Sequence, residues 1–272
     1  MPALATKPLG VFDSGVGGLT VVNALRRTLP HESLLYLGDT ARVPYGSKPL
    51  EMVRSFARQI SEALLQRDVK GIVIACNTAS AASLPALADE LPVPVWGVIE
   101  PGVHAALAAT RGGRVGVLGT VGTIHARVYQ DRLEAAGAAT WGKACPLFVP
   151  IVEEGISDTR IAEMIAEYYL QERPTEIDTV ILGCTHYPPL AHTLQKVLGE
   201  AVTLVDSAES TAAVVARDLQ ALGLAAPPGS RGGVRHLVTG DVASYLHTAS
   251  VLGGPEGPAE HVSLAGPAPV SG

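Results

Sequence analysis

The chain has no run of about 18 consecutive apolar residues, the length that a membrane-spanning helix requires. Residues 1–7 also lack the charged and apolar regions of a signal peptide. We therefore expect no membrane segment and a cytoplasmic location. Apolar residues nevertheless make up 47% of the 272 positions. Such an excess favours buried parallel strands covered by apolar helices.

Cysteine and basic residues are also sparse. The chain has three cysteines without a Cys-x-x-Cys pair, which argues against a disulfide framework and against a structural zinc site. It has 20 Lys and Arg against 26 Asp and Glu, a net charge of −6, and no basic run, so we expect no nucleic-acid partner.

No glycine-rich turn matches a dinucleotide or ATP fingerprint. No lysine falls at a candidate strand end, so pyridoxal phosphate is disfavoured, and we expect neither a cofactor nor a metal.

Strand-like and helical patterns alternate along the first 210 or so residues, which predicts parallel βα units. The two halves of this region resemble each other. Gly10 and Gly116 are 106 positions apart, as are Glu100 and Asp206, while the two cysteines of the repeat are 108 apart. We therefore predict an α/β fold of two similar lobes, each a mainly parallel sheet covered by helices. The lobes would be related by a pseudo-twofold axis, with the active site between them.

The repeat also predicts a division of the chain. Residues 1–98 and 207–252 would form the first lobe, and residues 99–206 the second. Residues 253–272 are rich in proline and glycine, so we expect a mostly disordered tail, with a short strand at 261–264 as an alternative.

Cys76 and Cys184 follow short apolar, β-branched runs at equivalent places in the two halves. The carboxyl ends of parallel strands form ligand sites, so in facing lobes the two thiols would approach one cleft from opposite sides. One thiolate could then remove a proton from a carbon while the other thiol protonates its opposite face, because cysteine titrates close enough to neutral for both tasks. The alternative is that each cysteine is buried packing. Cys145, between an alanine and a proline, is predicted to be packing alone.

Other polar residues stand near these thiols in the predicted arrangement. Asp13 either caps a helix or forms an Asx turn, or it tunes Cys76. His186 is either a surface histidine or the group that tunes Cys184. Glu153 and Glu154 either begin an exposed helix or supply one carboxylate to the cleft.

Two glycine-rich turns, 13–18 and 119–123, can present backbone N–H groups to an anion. Hydroxyl groups follow the same predicted strands and would donate to carboxylate oxygens. These are the hydroxyls of Ser14, Thr78, Thr120 and Thr185. An amino acid fits such a cleft better than a phosphate.

Four segments together resemble the bacterial glutamate racemases of the cofactor-independent aspartate/glutamate racemase superfamily. They are residues 12–20, 43–46, 75–79 and 183–188, and the likeness extends from residue 8 to about 252. The resemblance implies an isomerase that interconverts L- and D-glutamate without pyridoxal phosphate and supplies D-glutamate for peptidoglycan and the cell wall.

The resemblance also implies roles for individual residues. Cys76 would take the proton from D-glutamate and Cys184 from L-glutamate, and Asp13, Glu153 and His186 would assist them. Glu153 is preferred to its neighbour because it follows Val-Pro-Ile-Val. The implied substrate-binding residues are Asp13, Ser14, Tyr45, Gly46, Asn77, Thr78, Thr120, Thr123, Thr185 and His186.

Other functions stay open at this point. A relative acting on aspartate would keep the thiols and change the side-chain contacts of the substrate. A non-catalytic amino-acid-binding protein would keep the cleft alone, and a redox pair would use the thiols as a disulfide. The expected partner is a small molecule, glutamate, with no nucleic acid and no membrane. The oligomeric state is open, with a homodimer as one possible assembly.

Overall fold

A computed structural model describes residues 2–254 and 258–264 of the chain. The strands are β1 (Leu9–Asp13), β2 (Ser33–Gly38), β3 (Gly71–Ile74), β4 (Val95–Gly97), β5 (Arg114–Gly119), β6 (Ala139–Ala144), β7 (Thr179–Gly183), β8 (Thr203–Asp206), β9 (Gly233–Val238) and β10 (Ala259–His261).

The helices cover both faces of the sheets. They are α1 (Pro2–Ala5), α2 (Leu19–Thr28), α3 (Leu50–Leu65), α4 (Asn77–Glu90), α5 (Ile99–Ala109), α6 (Val121–Ala126), α7 (Val128–Ala135), α8 (Phe148–Glu153), α9 (Arg160–Leu170), α10 (Ala191–Leu198), α11 (Ser207–Ala221) and α12 (Val242–Val251). Short 3₁₀ turns lie at Tyr45–Ser47 and Pro188–Leu190. None of the helices within the described ranges is long and apolar enough to cross a membrane.

The strands form two parallel sheets, which confirms the predicted fold class. One has the order β10-β9-β2-β1-β3-β4 and the other β6-β5-β7-β8. The run β2-β1-β3-β4 therefore has the same order as β6-β5-β7-β8. The register agrees as well, because Gly10 pairs with Ile72 in one sheet and Gly116 with Val180 in the other. These partners have the same offsets along the chain that the sequence repeat predicts.

One landmark of the repeat, the match of Glu100 to Asp206 at the end of a strand, was placed wrongly. Strand β4 ends at Gly97 and helix α5 begins at Ile99, so Glu100 lies in the first turn of a helix and not at a strand end. The strand position that matches Asp206 is Gly97. A proline at position 101 fits the first helical turn because the N–H that it lacks would have no partner there.

Helix α4 begins directly after Cys76, which is its N-cap residue. Two helices, α6 and α7, follow β5 and are separated at Arg127, whose φ is 55°. Strand β6 and helix α9 were not predicted. Strand β6 is an edge strand whose residues are largely half-exposed, so it lacks the apolar run that marks β3 and β7.

The last segments of the chain complete the first sheet. Strand β9 pairs in parallel with β2, and β10 pairs with β9 two residues earlier than the strand that was considered at 261–264. Residues 255–257 and 265–272, for which disorder is expected, lie outside the described residues. The division into lobes at residues 98 and 206 stays a prediction. Helix α11 packs on both α2 and α5 and so joins the two sheets.

Candidate active site

A cavity of about 160 Å³ lies where the carboxyl ends of the two sheets face each other. Eleven of the residues predicted for the site line it: Ser14, Tyr45, Gly46, Cys76, Asn77, Thr78, Thr120, Glu153, Cys184, Thr185 and His186. The wall also contains residues that were not predicted, namely Val43, Pro44, Ser47, Val121, Pro146, Val149 and Pro150. Asp13 and Thr123, which were predicted to bind substrate, do not line the cavity.

Cys76 enters the cavity at the N-terminus of α4. Its sulfur accepts a hydrogen bond from the backbone N–H of Ala79 at 3.5 Å and lies 3.9 Å from the Ser14 hydroxyl oxygen. Burial, reinforced by the negative charge of Asp13, raises the pKa of the Cys76 thiol to about 12. The helix N-terminus acts in the opposite direction, since its N–H groups favour negative charge. In this state Cys76 is a protonated thiol beside groups that can stabilise its thiolate.

Cys184 enters the same cavity from the other sheet, directly after β7. The ring of His186 lies beside it, and the Nε2 of His186 is 3.0 Å from a Glu153 carboxylate oxygen. Burial alone would lower the pKa of His186, but hydrogen bonds to Cys184 and Glu153 outweigh it and raise the pKa to about 10. At neutral pH the ring is therefore an imidazolium, which can stabilise negative charge on the Cys184 sulfur.

Asp13 lies behind the cavity wall and is completely buried. Its carboxylate accepts hydrogen bonds from the backbone N–H of Gly15 at 3.0 Å and from the Thr185 hydroxyl at 3.3 Å. Burial raises the pKa of Asp13, and the charge of His186 opposes that change. Asp13 thus joins the glycine turn to the Cys184 loop, and its negative charge acts on both Cys76 and His186.

Three threonine hydroxyls meet across the cleft. The Thr78 oxygen lies 2.8 Å from that of Thr120 and 3.2 Å from that of Thr123. Thr120 also caps α6 by accepting from the backbone N–H of Thr123 at 3.2 Å. Thr123 therefore supports the two hydroxyls on the wall from behind. Gly46 packs against Thr120 so closely that a Cβ would lie 2.5 Å from the threonine Cβ.

Tyr45 is held by a buried carboxylate that the sequence did not single out. Its hydroxyl donates to Asp39, which also accepts from Arg42 at 2.7 Å and from the Thr239 hydroxyl at 2.8 Å. Burial and the charge of Asp39 raise the pKa of Tyr45, so the phenol stays protonated. The signal available in the sequence was an aspartate directly after a predicted strand, as with Asp13.

Several of the open alternatives are decided by the geometry. His186 is buried and is not a surface histidine, and Glu153 ends α8 instead of beginning a helix. Glu154 caps that helix and does not line the cavity. Cys145 is fully buried away from the cavity, and all three cysteines are free thiols. Across residues 2–254 and 258–264, no cluster of three or more His, Cys, Asp or Glu side chains is arranged to hold a metal ion.

Comparison with known proteins agrees with this geometry. The family described as Asp/Glu/Hydantoin racemase matches residues 19–215. The chain belongs to this family. A glutamate racemase of Thermus thermophilus is 55% identical over 247 residues, which cover 90% of this chain and 92% of that protein.

Solved structures of family members share the whole fold. The crystal structure of the Thermus thermophilus glutamate racemase in complex with β-chloro-D-alanine superposes with a TM-score of 0.90 at 52% identity, over 96% of this chain and 98% of that one. The Francisella tularensis glutamate racemase in complex with D-glutamate gives 0.88 at 34% identity, over 95% and 98%. The fold of this chain is therefore that of the glutamate racemases.

In this racemase family member, the glycine turn after β1 packs closely against Thr185 and His186, the two residues that follow Cys184. A Cβ on Gly17 would lie 2.4 Å from both the His186 Nδ1 and the Thr185 hydroxyl oxygen. We expect Gly17→Ala to lower kcat/KM about tenfold and to reduce the free energy of unfolding by about 1–3 kcal/mol, because the His186 loop must move. Steady-state kinetics and thermal unfolding measure the two effects.

Gly233→Ala is the matched control for this change. A Cβ on Gly233 meets nothing within 4 Å and the residue has no positive φ, so kinetics and unfolding should match the wild type. A Gly17→Ala variant as active and as stable as the control would show that the close approach is not required.

Proposed function

We propose that the protein interconverts L-glutamate and D-glutamate by transferring the Cα proton between the substrate and two cysteines. The observation that carries the proposal is the placement of Cys76 and Cys184. Two free thiols follow equivalent strands of two repeated sheets and line one cavity. Similarity to glutamate racemases along nearly the whole chain supports glutamate as the substrate.

From L-glutamate, the Cys184 thiolate removes the Cα proton while the His186 imidazolium lies beside its sulfur. The resulting carbanion is planar at Cα, and Cys76, which is a protonated thiol in this state, delivers its proton to the opposite face. One proton is taken and one is given, so the product is D-glutamate and the two thiols have exchanged protonation states. In the reverse direction the Cys76 thiolate is the base, stabilised by the N–H groups at the start of α4.

The remaining predicted residues bind the substrate in this proposal. The hydroxyls of Ser14, Thr78, Thr120 and Thr185 and the amide of Asn77 supply neutral donors for the two carboxylates. Asp13 and Thr123 act from behind the wall, through Thr185 and Thr120. The physiological role that we propose is supply of D-glutamate for peptidoglycan in the cytoplasm.

The test is racemisation by the purified protein without added cofactor. We expect each enantiomer of glutamate to be converted to the equimolar mixture, followed by circular dichroism, and aspartate to be turned over at least about a hundredfold more slowly because its shorter chain cannot reach both ends of the site. Faster turnover of aspartate would favour the aspartate-specific relative. Binding of glutamate without turnover would favour a non-catalytic binding protein.

A further inference from the structure

Tyr129 contacts the site from outside the cavity. It lies in α7, is fully buried, and donates its hydroxyl hydrogen to the Oδ1 of Asn77 at 2.7 Å. Asn77 belongs to α4 of the opposite sheet and lines the cavity. The hydrogen bond therefore crosses between the two halves of the molecule.

A side-chain amide has an acceptor oxygen on one side and an NH₂ donor on the other, so its orientation decides what it offers a ligand. With Oδ1 occupied by Tyr129, the Nδ2 of Asn77 is turned the other way. This nitrogen makes no hydrogen bond to another residue of the described ranges, and it is not fully buried, so a ligand can reach it. Two free donors thus face the cavity.

We propose that Tyr129 is a positioning residue that holds the Asn77 amide with its NH₂ group toward a substrate carboxylate. The inference rests on the proposed function, since the carboxylate is one of the two that glutamate carries. A reversed amide would instead present Oδ1 to the carboxylate, and two acceptors repel each other. Loss of the Tyr129 hydroxyl would therefore weaken substrate binding, although Tyr129 does not touch the substrate.

The surroundings of Tyr129 hold its hydroxyl in place and keep it protonated. The Ser207 hydroxyl contacts the tyrosine oxygen, and Gly102 packs so closely that a Cβ there would lie 3.2 Å from it. Burial raises the pKa of Tyr129 well above its ordinary value, so the phenol keeps its hydrogen at neutral pH. A protonated phenol has a hydrogen to donate, and the Asn77 Oδ1 accepts it at 2.7 Å.

The first test is Tyr129→Phe, compared with Tyr169→Phe. We expect Tyr129→Phe to raise KM for both enantiomers of glutamate about tenfold while kcat falls less than threefold, because a donor to a charged group is misplaced and the thiols are not. Tyr169 is a buried tyrosine of the same half whose hydroxyl accepts from the Leu147 N–H at 3.1 Å, away from the cavity. Its phenylalanine variant should keep both constants.

The second test asks whether Tyr129 acts through Asn77. Calorimetry with the equimolar mixture of enantiomers, whose composition the enzyme does not change, gives the apparent dissociation constant of glutamate for the wild type, Tyr129→Phe, Asn77→Ala and the double variant. We expect Tyr129→Phe to weaken binding about tenfold alone and less than twofold in the Asn77→Ala background. Equal weakening in both backgrounds, or none in either, overturns the inference. Asn77→Asp tests it with Tyr129 intact: the variant keeps the acceptor for Tyr129 but removes the cavity-facing donors, and binding as tight as wild type would also overturn it.

The proposed function and this inference fail in different ways. A wild type that binds but does not racemise glutamate contradicts the proposed function, while the binding cycle still decides the role of Tyr129. A wild type that racemises glutamate beside an indistinguishable Tyr129→Phe variant contradicts the inference alone. A wild type that does not bind glutamate overturns both.

Discussion

Replacing either Cys76 or Cys184 by alanine should lower the rate of racemisation by at least about 10³-fold in both directions. Each substitution removes the proton donor or acceptor on one face of Cα, and the remaining thiol lies on the opposite face and cannot replace it. The equilibrium constant between enantiomers is one, so kcat/KM must fall by the same factor whichever enantiomer is supplied. The thiols are distinguished by hydrogen exchange instead. In D₂O, Cys76→Ala should still exchange the α-hydrogen of L-glutamate with retention, and Cys184→Ala that of D-glutamate.

Cys145→Ala is the control for the loss of a thiol. Cys145 is as buried as the other two cysteines but lies outside the cavity, so its variant should racemise glutamate at the wild-type rate. Mass spectrometry of the substrate and circular dichroism measure exchange and racemisation separately. If the variant that lacks Cys76 or the variant that lacks Cys184 still racemises glutamate at the wild-type rate, the two-thiol mechanism is ruled out, whatever the exchange data show.

The placement of the two thiols could be predicted because it depends on local patterns that occur twice. Each cysteine follows a fully buried strand, and the strand order of the two sheets repeats. The match between Gly10 and Gly116 had the right register for the same reason. By contrast, Glu100 was misplaced because a proline-glycine pair reads as a turn, whereas here it lies in the first turn of α5.

The supporting residues could not be predicted because their partners are distant in sequence. Asp39 follows β2, as Asp13 follows the first predicted strand, but its role as a support of Tyr45 depends on Thr239, which donates to it from 200 positions later. Tyr129 is one apolar position in a helical pattern, and its contact with Asn77 exists only once the two sheets have packed together. Residues of the cavity wall such as Val149 and Pro146 carry no polar or reactive group that would mark them in the sequence. Local periodicity therefore predicts the two thiols that enter the cavity, and tertiary packing supplies the groups that orient other residues of its wall.

His186→Gln should lower kcat/KM about 10²-fold for both enantiomers, because the imidazolium beside Cys184 is lost while the thiols remain. The same equilibrium constraint makes the two losses equal, so the step affected must be found from isotope effects. Proton transfer at Cys184 becomes slower relative to that at Cys76. The deuterium isotope effect on kcat/KM should therefore rise for L-glutamate labelled at Cα and fall for labelled D-glutamate. Isotope effects that change alike for both enantiomers would place His186 elsewhere in the reaction.

The same substitution should change how stability depends on pH. The pKa of His186 rises from 6.5 to about 10 on folding, so the folded state binds the extra proton and its stabilisation is complete below pH 6.5. It is lost as the pH rises toward 10, at about 1.4 kcal/mol per pH unit. Burial and the charge of Asp13 raise the pKa of Cys76 from 9.0 to about 12. The titration of Cys76 therefore lowers the free energy of unfolding only above pH 9.

Between pH 7 and 9 the histidine can thus be observed without interference from Cys76. Urea unfolding should show the wild type losing about 2–3 kcal/mol more than His186→Gln over this range. Glu153→Gln, which removes one hydrogen-bonding partner and its charge but keeps the ring, should lie between the two. Parallel pH profiles for the wild type and His186→Gln would mean that the ring is neutral in the folded protein. In that case the neutral imidazole could only orient the Cys184 sulfur, and the isotope effects would then report positioning and not charge.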